Sequence, residues 1–161
     1  METLRHYFFE CPRVREYWRL VGNFLDRIQE PAATEPTPLE LTDVMAGLAS
    51  WRDRLPNMVA FHALAVWQVY RAHAEAAMDN EVVTAISMYA RWQGEMMRRI
   101  RADLYNAKRI KKLDRFTQTW TQIRCQWFVF DAGGSADRRG KLEFNTDLLA
   151  PTSTPTPTHD G

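Results

Sequence analysis

Cysteine is scarce in this chain, charge is balanced and no long apolar run occurs. Only Cys11 and Cys125 are present among 161 residues, so a small fold knitted by disulfides is excluded. The start METLRHYFFE lacks a basic stretch followed by an apolar one and does not read as a secretory leader. No segment approaches the roughly 18–20 apolar residues that a membrane span requires. These absences predict an intracellular chain with reduced thiols and no membrane partner, without separating nucleus from cytoplasm. The formal net charge of +1 points to no class of partner. Neither a P-loop, a G-x-G-x-x-G turn, a G-x-S-x-G elbow nor an H-E-x-x-H helix is found. The glycine-bearing stretch DAGGSADRRG follows no buried parallel strand and opens no helix, so it reads as a hairpin loop rather than a phosphate cradle. The expectation is a protein that is not an enzyme.

Aromatic residues, by contrast, are plentiful: six Trp, eight Phe and five Tyr. Each must be buried in a core or an interface. In CPRVREYWRLVGNFLDRIQ, Val14, Tyr17, Trp18, Val21, Phe24, Leu25 and Ile28 recur with the i, i+3, i+4, i+7 rhythm of a helix. Pro12 suits its first turn. A proline-rich linker over 30–40 follows, and then a short helix from Thr42, whose hydroxyl could cap it, with Val44, Met45 and Leu48 inward. A third helix is predicted from Pro56 to about Met78, apolar nearly all round and so expected at the centre of the bundle. A fourth starts near Glu81 with Val82, Ile86, Tyr89, Trp92, Met96, Ile100 and Leu104 as its stripe. It should break near Asn106 before a fifth containing Leu113, Phe116, Trp120 and Ile123. Cys125, Trp127 and Val129 then alternate as strand residues do. With Leu142 and Phe144 they predict a hairpin of 125–131 with 141–146, resting on the helices because a lone hairpin is marginal. The stretch 148–161, rich in Pro and Thr, is predicted to be a disordered tail. The fold class is mainly α: four to five helices with a small C-terminal β-hairpin.

The stretch ETLRHYFFECPRVREYW resembles the second half of the zinc-binding module that follows the reverse transcriptase of non-LTR (LINE-type) retrotransposons. Glu2, Thr3, Leu4, His6, Phe8, Phe9, Cys11, Pro12 and Trp18 stand in the order of that module. The helix with Trp67, Tyr70 and Arg71, and the segment RFTQTWTQIRCQWFVF, extend the resemblance more weakly. It implies that His6 and Cys11 hold the places of the third and fourth metal ligands, residues 1–11 being a truncated knuckle. The C-x-x-C half would precede Met1, as would the polymerase with its catalytic carboxylates. Structural zinc takes four ligands, and none of His62, His73, His159 or Cys125 has the spacing to complete the set. The expectation is an incomplete site and no zinc cofactor. Read without the resemblance, His6 caps or packs locally and Cys11 is a small buried residue at a helix start.

Charge is concentrated in RRIRADLYNAKRIKKLDR. Arg98, Arg99, Arg101, Lys108, Arg109, Lys111, Lys112 and Arg115 face only Asp103 and Asp114 there. The segment carries +6, leaving −5 on the rest of the chain. On a helix most of these cations fall on one side, flanking the apolar stripe. Such a ridge can follow a phosphate backbone of RNA or DNA, with a salt-dependent and sequence-tolerant grip. Two other readings stand beside it: a helical protein-interaction or structural module meeting an acidic partner, and a decayed fragment without function. Apolar surface left bare would favour self-association.

Overall fold

The structure is a computed structural model that describes residues 3–28, 39–48, 58–79, 82–120, 126–131 and 141–150. Among them are five α-helices and one two-stranded hairpin, the architecture that the periodicity predicts. They are α1 (Pro12–Arg27), α2 (Leu41–Ala46), α3 (Met58–Asp79), α4 (Ala85–Arg109), α5 (Leu113–Trp120), β1 (Phe128–Asp131) and β2 (Lys141–Phe144). A π-helical turn, His6–Glu10, precedes α1. A single turn of 3-10 helix, Thr146–Leu148, follows the hairpin. Trp51, Ile123, Cys125, His159, the loop DAGGSADRRG beyond Asp131 and most of the proline-rich linker lie outside the described residues.

All seven stripe residues predicted for α1 are buried, and Pro12 occupies the first helical position. α4, rather than α3, is the central element: α1, α3 and α5 all pack against it. The near-continuous apolarity of α3 arises because both of its faces are apolar. Phe61, Ala65, Val69 and Ala72 are buried, whereas Val59, Trp67, Tyr70 and Met78 stand in solvent.

Local chemistry moves several boundaries. In α2 the cap is Glu40, not Thr42: its carboxylate accepts from the Asp43 backbone while the Asp43 carboxylate accepts from the Glu40 N–H. Val44 and Leu48 are buried as expected, but Met45 points outward. α4 begins at Ala85, where the Thr84 hydroxyl accepts from Ser87 N–H at 3.1 Å. Val82 therefore precedes the helix, and both it and Ile86 are exposed, with Val83, Ala85 and Met88 taking the inward places. The break falls at Ile110–Lys112 rather than near Asn106.

Four tryptophans, Trp18, Trp92, Trp120 and Trp127, are fully buried. Phe24 meets Trp92 and Trp127 nearly edge-on, at 5.4 and 5.0 Å between ring centroids. Phe61 closes the cluster from α3 against Trp92 at 6.2 Å and Trp127 at 6.0 Å. Burial of each such ring is worth about 1.5–3 kcal/mol. The hairpin pairs Phe128 with Phe144 and Phe130 with Leu142, antiparallel. Its inward side is Phe128 and Phe130, and Val129 faces out. The alternation expected from Cys125, Trp127 and Val129 is thus offset by one, because Trp127 lies in a turn ahead of the strand. Ile28 C=O accepts from Gln126 N–H at 2.9 Å. Arg27 donates to the carbonyls of Asp147 and Ala150. Leu148 and Leu149, which the composition assigns to the tail, pack on the core.

Burial raises the hydroxyl of Tyr17 well above its ordinary value, and Tyr17 donates to Ala65 C=O at 3.1 Å. Tyr89 is pushed up to about 12 by burial, with Arg27 pulling the other way. An unfolded phenol titrates near 10, so the folded chain holds both protons more tightly. The stability this contributes is whole below about pH 10 and is lost as pH rises toward the folded values. The urea midpoint should therefore fall between about pH 10 and 11.5. It should fall less for Tyr89→Phe than for the native chain, and parallel falls would contradict this assignment.

Candidate nucleic-acid interface

The helix geometry distributes the predicted basic residues. At about 100° per residue, Arg99 and Arg101 lie about 200° apart around the axis of α4. Arg101 and Lys108, seven residues apart, share the flank toward the hairpin, where the Arg101 guanidinium lies 5.1 Å from the Phe144 ring centroid. Arg98 and Arg109 occupy the outer face with Tyr105, an exposed aromatic that the apolar stripe passes over. Arg98 pairs with Glu95 at 2.5 Å. The eight cations therefore do not form one continuous ridge.

A subset is brought together by the turn between α4 and α5. Lys112 N–H donates to Ala107 C=O at 2.8 Å and Lys111 N–H to Lys108 C=O at 3.1 Å. This is the Schellman pattern that ends a helix, and it places Lys111 at φ 54°, in the left-handed region usually held by glycine. α5 then folds back along the last turns of α4. Between them lies an open groove of about 330 Å³, lined among others by Arg99, Asn106, Lys112, Arg115, Thr119 and Trp120. Three of the predicted cations meet there.

Asp103 fixes this groove, a role beyond the charge offset read from the sequence. One of its oxygens accepts from Arg99 Nε at 3.1 Å and from Trp120 Nε1 at 3.2 Å. The carboxylate thereby ties α5 to α4 and aims Arg99 along the groove. Three cations against this one anion leave the lining at +2. The Asn106 amide and the Thr119 hydroxyl add neutral polar groups, although Thr119 Oγ1 already donates to Arg115 C=O. Such a mixture can accept a phosphate group and its ester oxygens. No sequence pattern marked Asp103, Asn106 or Thr119, because their proximity is created by a turn whose position the periodicity misplaced.

At the other end of the chain, His6 and Cys11 are joined through the backbone. Cys11 N–H donates to His6 C=O at 3.0 Å, closing a π-helical turn. Trp18 Nε1 donates to Phe8 C=O at 2.8 Å. His73 Nε2 lies 3.1 Å from Tyr7 C=O, and its ring stacks on Tyr7 at 3.9 Å. His62 Nε2 lies 2.5 Å from Val44 C=O. Both of these histidines are thus engaged with backbone carbonyls of neighbouring segments. Cys11 is half-buried and packed against the core. Among the described residues no group of three or more His, Cys, Asp or Glu side chains is placed to hold a metal ion. In the same residues no helix is long and apolar enough to cross a membrane.

A lysine held at positive φ costs about 1 kcal/mol relative to glycine. Lys111→Gly should raise the melting temperature by about 2–4 °C in a thermal scan, and an unchanged or lower value would contradict the Schellman geometry.

Comparison of the chain with models of protein families, with curated proteins and with solved structures found no match.

Proposed function

We propose that this chain is a non-catalytic nucleic-acid-binding segment, descended from the C-terminal part of a retroelement reverse-transcriptase protein. It grips the phosphate backbone at the α4–α5 groove without reading bases. The observation that carries this reading is the convergence of Arg99, Lys112 and Arg115 on one open groove. The ancestry rests on the order of residues from Glu2 to Trp18, and zinc has no part in the proposal.

Phosphate neutralisation by a cation releases counterions, so affinity falls as salt rises. The expected slope of log K against log salt is about −0.7 per contact on single strands and about −0.9 on duplex DNA. Three cations in the groove give a slope on the order of −2 to −3. The exposed Tyr105, on the outer face between Arg98 and Arg109, offers a surface on which an unpaired base could stack. That favours single-stranded over duplex targets.

Fluorescence anisotropy with a labelled single-stranded RNA of mixed sequence tests the proposal. Binding should weaken by on the order of 20-fold between 50 and 200 mM salt. Lys112→Glu combined with Arg115→Glu should abolish it. Asp103→Asn, which raises the groove from +2 to +3, should strengthen it several-fold while lowering stability by about 1 kcal/mol. Binding that ignores salt, or survives the double reversal, would rule the groove out.

A further inference from the structure

The outer face of α3 is apolar along its whole length. Val59 and Met78 are 79% and 84% exposed, and Trp67 and Tyr70 are 50% exposed each. Ala63 is exposed and Ala74 half-buried between them. The spacing 59, 63, 67, 70, 74, 78 follows one stripe of the helix, and no charged residue interrupts it. Trp67 and Tyr70 stack on each other at 5.4 Å, so the two largest side chains form one rigid plate at mid-helix. Beside the N-terminal half of the stripe, a groove of about 460 Å³ runs between α3 and α4, with Arg98 and Arg99 on its α4 side.

We infer that this face is where a second copy of the chain docks, with the two α3 helices antiparallel. Three observations select that occupant. The first is shape. Reversing the helix about the step from Tyr70 to Arg71 sets Trp67 against Ala74 of the copy and Met78 against Ala63, so these two large side chains each meet a small one. The two Tyr70 rings meet at the axis. The second is charge. The Val59 end of the stripe is flanked by Glu95, Arg98 and Arg99, a net +1, with Arg98 paired to Glu95 and its side chain still 70% exposed, while the Met78 end terminates in the exposed Asp79. Antiparallel pairing brings each Arg98 toward the Asp79 of the other copy, and parallel pairing would place like charges together. The third is area. The exposed parts of the four large side chains amount to on the order of 550 Å² per copy. Two copies then bury about 1,100 Å², enough to pass the ~1,000 Å² that a specific interface requires. This pairing stands independently of nucleic-acid binding.

Sedimentation equilibrium on the full chain provides the test. The native chain should behave as twice its sequence mass at micromolar concentration. Ala63→Glu should be monomeric there, with an unchanged far-ultraviolet circular dichroism spectrum. Arg98→Glu should weaken the dimer at least five-fold, and adding Asp79→Arg should restore it. Orientation is read by crosslinking in a background of Cys11→Ser and Cys125→Ser. Ala63→Cys with Met78→Cys should form an intermolecular disulfide. Ala63→Cys alone should not, because two such residues lie about 22 Å apart across the axis. A native chain that stays monomeric to 200 micromolar would overturn the inference. So would a dimer indifferent to Ala63→Glu, or efficient crosslinking through Ala63→Cys alone.

Discussion

Phe24, packed edge-on against Trp92 and Trp127, is the contact on which the remainder of the structure depends. It is the point where α1, α4 and the turn leading into β1 meet. A hairpin of two four-residue strands cannot stand alone in water. It is held because Trp127 enters the helical core just before the strand starts, and because Phe144 lies 5.6 Å from the Trp127 ring. Phe61 brings α3 to the same centre, and its carbonyl accepts from Trp92 Nε1 at 3.1 Å. Edge-to-face geometry is directional as well as apolar, so this cluster fixes how the elements are oriented and not merely that they collapse.

From that centre, α4 carries its two ends into different tasks. Its buried stripe is shared among α1, α3 and α5, and its charged remainder is displayed on the surfaces left over. Toward α5, Asp103 converts a pair of helices into a groove with fixed walls, by holding Arg99 and Trp120 on one oxygen. Toward α3, Glu75 accepts from Arg71 at 2.7 Å and from Arg91 at 2.6 Å. These two guanidiniums hold the Glu75 carboxyl below its usual range, and the pair with Arg91 fastens the end of α3 to α4. Arg99 lines both the phosphate groove and the groove beside the apolar face of α3. The two proposed surfaces therefore share one side chain.

The fold was legible wherever a regular period met a continuous face. In α1 all seven stripe residues are buried because the helix has one wet side and one dry side. In α3 the same kind of count misleads: Trp67 and Tyr70 present large apolar rings as Phe61 does, and composition cannot say which of two apolar faces finds a partner within the chain. The cap at Glu40 was hidden because a carboxylate paired with Asp43 does the work usually left to a hydroxyl. The turn at Lys111 was hidden because a lysine stands where glycine is expected. Of the candidate site, the positive segment was visible as charge density, but the selection of Arg99, Lys112 and Arg115 from eight cations was not. That selection is made by the turn, and the turn carries no glycine or proline to announce it. The π-turn that joins His6 to Cys11, pinned by Trp18 and His73 through the carbonyls of Phe8 and Tyr7, was hidden because no regular period marks a turn of that kind.

Nuclear magnetic resonance on the uniformly ¹⁵N-labelled chain separates binding at the groove from binding elsewhere, because the six tryptophans give resolved indole signals that report on different places. On titration with a short single-stranded RNA, the Trp120 indole N–H and the Arg99 and Arg115 Nε signals should move together and saturate at one ratio. The Trp18 and Trp92 indole signals, engaged with backbone carbonyls in the interior, should stay in place. Saturable binding that leaves Trp120 and Arg99 unmoved would contradict the account.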